Sequence, residues 1–192
     1  MIVVDTNIIS ALLREADREA VQPWLDRQSR GSVWATTITV AELRHGVALL
    51  PEGRRRGALE AFNERVIARF AEEGRIAAFD LAATRHFALG MATARAAGRE
   101  VRSFADGAIG AIALSRRFGV ATRDTGPFEA MGIETVNPWA GGPLRSVTER
   151  AVPRTRAARA GGRRGGSSGA AGGRERSISA RARRRKGLRS RS

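Results

Sequence analysis

The heptapeptide MIVVDTN (residues 1–7) decides how this chain is interpreted. Its apolar, β-branched run from Ile2 to Val4 is typical of a short buried strand in a parallel sheet. The run stops at Asp5, and two more polar residues, Thr6 and Asn7, follow it. This order poses the question of what a carboxylate does at the end of a buried strand.

Strand-like and helical segments alternate along the first 140 residues. The helical period is clearest over residues 55–72, where Leu59, Phe62, Val66 and Phe70 recur every three or four positions. Further helices are predicted over 81–97, over 104–117 and around the stripe formed by Leu43, Val47 and Leu50. Strands are predicted at 2–4, 32–36, 76–79, 120–122 and 133–136. Because parallel neighbours need crossovers of this length, the alternation predicts an α/β fold with a central parallel sheet and helices on both faces.

The positive charge of the chain is concentrated in its C-terminal part. Residues 1–140 contain 18 Arg against 17 Asp and Glu, whereas residues 141–192 contain 16 Lys and Arg against 2 Glu. The second segment is rich in Arg, Gly, Ala and Ser and has no aromatic residue. Such a composition does not bury enough apolar surface to order itself. We therefore expect one folded domain at 1–140 and a basic, disordered tail at 141–192.

Two features of the sequence limit the metals that the chain could bind and the places where it could act. The chain has no cysteine, so a metal would be held by oxygen ligands or by its two histidines, His45 and His86. Hard cations such as Mg²⁺ or Mn²⁺ are the default for oxygen ligands. The apolar start is too short for a signal-peptide core, and no stretch has the apolar length that a membrane span requires. The expected location is therefore the cytoplasm, without a membrane partner.

Four acidic residues lie where strands end or helices open. They are Asp5 after the first strand, Glu42 in TTITVAELRHG (residues 36–46), Asp106 in RSFADGAIGAIA (102–113) and Asp124 in GVATRDTGPF (119–128). In open parallel sheets, ligands bind beyond the carboxyl ends of the strands. The four acids are therefore candidates for one functional site.

Each acid also has a structural interpretation. Thr39 and Glu42, and likewise Ser103 and Asp106, have capping-box spacing. Asp5 would cap the first helix, and Asp124 would open a turn. Asp80, which also lies between a strand and a helix, is best explained as a cap.

Electrostatics favours a cation if the four acids converge. Two carboxylates about 5 Å apart repel by roughly 3 kcal/mol at an effective dielectric near 20. Three or four would not all stay ionised without a positive partner. One or two Mg²⁺ or Mn²⁺ ions supply that charge and suit hydrolysis of a phosphodiester. In this interpretation, Asp5 is a metal ligand held at the end of a buried strand.

Four segments together resemble a known family. VVDTN (3–7), TVAELRHG (39–46), FADGAIGAIA (104–113) and ATRDTGPFEAMGIETVNPW (121–139) are similar, in order and spacing, to motifs of the PIN-domain ribonucleases. The similarity is greatest to the VapC-type toxins of bacterial toxin–antitoxin modules. It covers residues 1–139 and implies a PIN-like fold for the domain at 1–140.

The resemblance implies roles for individual residues. Asp5, Glu42 and Asp106 match the three family carboxylates that bind Mg²⁺ or Mn²⁺ and serve catalysis. Asp124 matches a fourth position that varies among members. Residues that line the same pocket are matched by Thr6, Asn7 and Thr122.

The resemblance also implies activity and partners. PIN enzymes cleave RNA by metal-activated water, and similar toxins attack tRNA or rRNA. The family usually dimerises, and its antitoxins insert a segment into the acidic pocket. Arg44 and Arg123 flank the proposed ligands and are candidates for binding RNA phosphates, although ordinary surface arginines would look the same.

Other functions make different demands on the same residues. A dehalogenase-like phosphatase would need Asp at the position of Asn7, and a receiver domain or P-loop enzyme would need Lys in the fold, whereas the only lysine, Lys186, lies in the tail. The main alternative is a non-catalytic nucleic-acid-binding protein that acts through its basic tail. The tail itself is equally well explained as an accessory RNA-binding segment or as an incidental extension.

Overall fold

The central feature of the molecule is a sheet of short parallel strands. The computed structural model describes residues 1–29 and 31–141. Within these residues, five strands form one sheet in which every pairing is parallel. They are β1 (Ile2–Val4), β2 (Val33–Thr36), β3 (Ile76–Ala77), β4 (Gly119–Ala121) and β5 (Thr135–Val136). Their order is β3-β2-β1-β4-β5, so β1 lies at the centre of the sheet.

Helices connect the strands and cover the sheet. The same residues form seven α-helices, which are α1 (Thr6–Ala11), α2 (Glu15–Asp26), α3 (Thr37–Ala48), α4 (Arg54–Glu72), α5 (Leu81–Ala96), α6 (Phe104–Arg116) and α7 (Gly126–Ala130). A short 3₁₀ helix spans Pro138–Ala140. The helices predicted from apolar periodicity are confirmed to within a few residues, because long amphipathic segments carry the strongest periodic signal.

The core lies on both sides of the sheet. On one side Ile2 and Val4 pack in a cluster with Ile8, Trp24 and other residues of α1–α4. On the other side Val3 packs with residues of α6 and with the segment around Phe128. Successive residues of β1 thus face opposite layers, as the alternation of a strand requires. The predicted α/β class, with a parallel sheet between helical layers, is confirmed.

β2, β3 and β5 are shorter than the sequence suggested, and β4 spans 119–121 rather than 120–122. β3 ends at Ala77 rather than at residue 79, since its register pairs only Ile76 and Ala77 with β2. The N–H of Phe79 instead donates to Thr37 Oγ1 at 3.1 Å. β5 begins at Thr135 rather than at 133, and Ile133 packs in the core without being part of the strand. Apolar patterning marks buried segments, whereas strand ends depend on the neighbouring strand.

One of the predicted helix caps is wrong. Thr39 does not cap α3; Thr36 does, and its Oγ1 accepts from the Thr39 N–H at 2.9 Å. Thr39 is buried within the helix, so Thr39 and Glu42 are not a capping box. The other caps are present: Ser103 Oγ accepts from the Asp106 N–H at 3.1 Å, and Asp80 Oδ1 accepts from the Ala83 N–H at 2.9 Å.

Glycines in α6 let neighbouring elements approach it closely. A Cβ on Gly107 would lie 2.8 Å from Phe87 Cε2 of α5, and one on Gly110 would lie 2.8 Å from Met131 Sδ. Both distances are shorter than side-chain packing allows. The glycines of the motif FADGAIGAIA therefore serve the packing that fixes the helix carrying Asp106.

Two expectations concern other parts of the chain. The predicted tail at 141–192 lies, except for its first residue, outside the described residues. Within residues 1–29 and 31–141, no helix combines the length and apolar character needed to cross a membrane.

Candidate active site

Asp5 is the most deeply buried carboxylate of the site. It follows β1 directly, caps α1 and is 8% exposed. Its Oδ1 accepts from the Thr6 N–H at 2.6 Å. The N-cap role suggested by sequence is therefore real, yet it uses one of the two carboxylate oxygens.

The second oxygen of Asp5 is held by side chains from two elements. Oδ2 accepts from Asn7 Nδ2 at 2.7 Å and from Thr122 Oγ1 at 2.8 Å. The Thr122 hydroxyl also accepts from Asn7 Nδ2 at 2.9 Å. Asn7 lies in the first turn of α1 and Thr122 directly follows β4. Three residues named from sequence thus form one hydrogen-bonded group that fixes the orientation of the Asp5 carboxylate.

Glu42 reaches the same region from α3. Its Oε2 accepts from Thr6 Oγ1 at 2.6 Å, so Thr6 bridges Asp5 and Glu42 through its amide and its hydroxyl. Glu42 is half-buried. This contact depends on α3 packing against α1 and is invisible at the level of sequence spacing.

Asp106 and Asp124 complete the group. Asp106 is half-buried in the first turn of α6, whereas Asp124 is exposed on the loop after β4. Asp124 Oδ1 accepts from the Gly126 N–H at 3.2 Å, and the Asp124 N–H donates to Thr122 Oγ1 at 3.2 Å. The turn interpretation of Asp124 therefore also holds. We call Asp5, Glu42, Asp106 and Asp124 the acidic site.

Burial and repulsion between carboxylates raise the pKa values of two residues of the acidic site. Burial raises the pKa of Asp5, and the charges of Glu42 and Asp124 raise it further against the lowering effect of its hydrogen bonds. Burial likewise raises the pKa of Asp106, with added repulsion from Asp5 and Asp124. Asp5 thus interacts electrostatically with Glu42, Asp106 and Asp124.

The donor set suits a hard divalent cation. It consists of carboxylate oxygens with hydroxyl and amide groups beside them, the ligands that Mg²⁺ and Mn²⁺ prefer. Burial is the largest cause of the raised pKa values of Asp5 and Asp106, and such a cation would relieve the repulsion that adds to it. As their side chains stand, however, no three Asp, Glu or His residues of the described segments are close enough to hold one ion. Glu42 and Asp124 each use one carboxylate oxygen in a hydrogen bond, so a shared ligand role would require the acidic side chains to move closer together.

The two arginines proposed for RNA binding are engaged within the protein. Arg44 forms a bidentate ion pair with Glu64 of α4. Its Nε donates to Oε1 at 2.8 Å and its Nη2 donates to Oε2 at 2.9 Å. Arg123 bonds to Asp17 of α2, and its guanidinium lies 4.3 Å from the ring centroid of Trp139. Both retain more than half of their side-chain exposure, so contact with a phosphate remains a proposal for each.

Sequence reasoning missed two groups of residues near the site. Asp17 accepts from Trp139 Nε1 at 2.9 Å as well as from Arg123, and this contact ties the loop after β4 to α2. The second group is aromatic: Phe79, Phe87 and Phe104, from three separate segments, pack around one another at the start of α6. Neither group has a local sequence signal, because its members meet only in the folded chain.

The geometry defines a class of protein. An all-parallel sheet that gathers carboxylates beyond the ends of its central strands is an α/β domain with an acidic strand-end site. The family model described as PIN domain matches residues 2–134, and the chain belongs to the PIN domain family. The resemblance drawn from the four sequence motifs is thereby confirmed.

Relatives of known name extend the comparison. Plasmid stability protein StbB of Pseudomonas syringae pv. tomato is 46% identical over 140 residues, which are 72% of this chain and 99% of that protein. VapC ribonuclease Y4jK of Sinorhizobium fredii is 45% identical over 139 residues, covering 72% of this chain and 98% of that protein. Toxin FitB of Neisseria gonorrhoeae is 42% identical over 140 residues, covering 72% and 99%. The crystal structure of FitAcB from the same species matches with a TM-score of 0.67 and 42% identity, over 72% of this chain and 99% of that one.

Proposed function

We propose that this protein is a metal-dependent endoribonuclease and the toxin of a type II toxin–antitoxin pair. The observation that carries the proposal is the buried Asp5 carboxylate, fixed by Asn7 and Thr122 among three further acids that raise its pKa or share its surroundings. Membership of the PIN family and similarity to a protein named VapC ribonuclease support the same activity.

The acidic site would hold Mg²⁺ or Mn²⁺ through Asp5, Asp106, Glu42 and Asp124. When bound, such an ion supplies positive charge for phosphate oxygens and a water molecule of lowered pKa. The protein's part is to hold the ligands: Asn7 and Thr122 orient Asp5, and Thr6 orients Glu42. Fixed ligands need little reorganisation during the reaction. No basic side chain is needed to generate the nucleophile.

The solvent side of the site suits a large substrate. Asp5 is buried, Asp106 is half-buried and Asp124 is exposed. The exposure of the carboxylates therefore increases from Asp5 to Asp124. An RNA phosphodiester would approach from the exposed side. Within the proposal, tRNA or rRNA is the substrate class, and the location is the cytoplasm, where those RNAs reside.

A protein partner belongs to the proposal. The related protein FitB is named a toxin, and FitAcB is a solved structure to which this chain is similar. We infer that an antitoxin encoded beside this chain inhibits it and that the chain forms a homodimer. Co-expression with the neighbouring reading frame should yield a stable complex without ribonuclease activity, and sedimentation of the free chain should give twice the monomer mass.

Two matched carboxylate variants test the catalytic proposal. Asp5→Asn should abolish cleavage of a tRNA and rRNA mixture, whereas Asp80→Asn should leave it unchanged, because Asp80 caps α5 outside the acidic site and Asn also serves as an N-cap. Circular dichroism should show both variants folded. Cleavage by the parent chain should disappear with EDTA and return with Mg²⁺ or Mn²⁺.

The alternative, a binding protein without catalysis, predicts another outcome. RNA would then be retained in a gel shift without products under either metal condition. Full activity of Asp5→Asn would remove Asp5 from the proposed ligand set.

A further inference from the structure

Three phenylalanine rings from separate segments pack together at the start of α6. Ring centroids of Phe79 and Phe87 are 6.1 Å apart, those of Phe79 and Phe104 are 6.1 Å apart, and those of Phe87 and Phe104 are 5.4 Å apart. We call these three residues the aromatic cluster. Their tilted and edge-to-face arrangements are the favourable geometries for aromatic pairs.

Phe104 is the outward-facing member of the aromatic cluster. It is 63% exposed, although it contacts two other rings. Phe79 and Phe87 are half-buried, and Phe87 packs against Gly107, where a larger residue would collide with it. The exposed ring is thus supported from below by rings that are themselves fixed. A supported ring loses little conformational freedom when a ligand binds to it.

Phe104 belongs to the same helix as Asp106 of the acidic site. It is the first residue of α6 and precedes Asp106 by two positions. Phe79 follows β3, and its N–H donates to Thr37, the first residue of the helix that carries Glu42. The aromatic cluster therefore lies at the carboxyl edge of the sheet, on the β3 side of the acidic site.

We propose that Phe104 is a stacking platform for an unpaired base of the RNA, next to the phosphodiester held at the acidic site. This inference rests on the proposed ribonuclease function. Unpaired bases commonly stack on exposed aromatic side chains in complexes of proteins with single-stranded RNA. Arg102, two residues before Phe104, has 88% of its side chain exposed and its ion-pair contact with Glu100 is 3.7 Å long. Its charge is available to the backbone of the same RNA segment.

The charge beside Phe104 favours a base over an apolar protein surface. Arg102 keeps a positive charge exposed two positions before Phe104. That charge complements the phosphates of a bound RNA, whereas burying it under an apolar protein surface would be costly.

Fluorescence of a modified RNA tests the platform. The full-length chain with Asp5→Asn, which should not cleave, is titrated with a short single-stranded RNA that contains 2-aminopurine, whose emission falls on stacking. Phe104→Leu keeps an apolar side chain but removes the aromatic face, and it should weaken binding about tenfold and abolish the fall in emission. Phe104→Trp should retain both. Leu49→Ala, a change of an apolar residue that is 71% exposed at the end of α3, is the control and should alter neither.

The outcomes separate this inference from the function on which it rests. Unchanged RNA affinity and emission in Phe104→Leu would overturn the platform, as would dissociation of an oligomer by the same variant in sedimentation, because Phe104 would then be an interface residue. If the chain with its native Asp5 gives no RNA products with Mg²⁺ or Mn²⁺, the ribonuclease proposal fails. If products form but Phe104→Leu binds normally, only the platform fails.

Discussion

Thr122 Oγ1 donates a hydrogen bond of 2.8 Å to Asp5 Oδ2 and so joins the ends of the two central strands. Both residues are buried. The same hydroxyl accepts from Asn7 Nδ2 and from the Asp124 N–H. One threonine therefore links the buried carboxylate, the first turn of α1 and the loop that carries Asp124. These contacts fix the orientation of the Asp5 carboxylate.

Removal of this hydroxyl should harm both stability and cleavage. Thr122→Val keeps the shape but takes a buried hydrogen-bond partner from the Asn7 amide and from the Asp5 carboxylate, a loss of about 1–3 kcal/mol in the free energy of unfolding. Thr122→Ser keeps the hydroxyl and should remain within about 1 kcal/mol of the parent. Urea unfolding measures the difference. The turnover of Thr122→Val should fall while its RNA affinity is maintained, and equal turnover in the two variants would contradict the positioning role.

The raised pKa of Asp106 predicts a pH-dependent stability without metal. Because its pKa in the folded state lies above the ordinary value of 3.8, the folded chain binds more protons than the unfolded chain as this group titrates. The free energy of unfolding therefore falls as the pH rises from 3.8 through the higher pKa of the folded chain. Asp106→Asn removes this contribution and should be more stable than the parent at neutral pH in EDTA.

The measurement is a difference between two unfolding curves. Asp17, Glu64 and Glu73 have lowered pKa values because of their hydrogen bonds to neighbouring side chains. They contribute stability that is lost as the pH falls. They are present in both proteins and cancel in the difference between parent and Asp106→Asn. A difference that does not grow with pH would mean that the Asp106 carboxylate is not destabilised in the folded chain.

Divalent cations should stabilise the folded protein through the same acids. At a cation concentration about 100 times the dissociation constant, binding to the folded state alone contributes about 2.7 kcal/mol. For a chain of this size the melting temperature should rise by about 5–10 °C. Differential scanning fluorimetry with Mg²⁺ and Mn²⁺ measures this shift, which should disappear in Asp106→Asn and persist in Asp80→Asn. An equal rise in the two variants would assign the effect to another site.

Sequence reasoning reached the fold and proposed the four acids as one site, but it could not give their contacts. Helices such as α4 and α6 are indicated by period or motif, and buried strands by apolar runs. The Thr6 contact with Glu42 and the Thr122 contact with Asp5 span 36 and 117 positions, so only packing brings their members together. The wrong cap at Thr39 has the same origin: Thr36 and Thr39 are both plausible caps, and the end of β2 decides between them. The aromatic cluster has no sequence signal because its rings come from three segments.

The glycines of α4 and α6 offer a matched test of the packing that supports the site. A Cβ on Gly57 in α4 would meet no neighbouring group within 4 Å, whereas a Cβ on Gly107 in α6 would lie 2.8 Å from Phe87 and 3.1 Å from Met91 Sδ. Gly57→Ala should therefore stabilise the protein by about 0.5–1 kcal/mol through its greater helix propensity. Gly107→Ala gains the same propensity but forces the Phe87 ring aside, at a cost of about 1–3 kcal/mol. Chemical denaturation should place the two variants on opposite sides of the parent. Equal stabilisation by both would show that α5 and α6 tolerate a wider separation, and that Gly107 is not what sets the position of Phe87 beside Phe104.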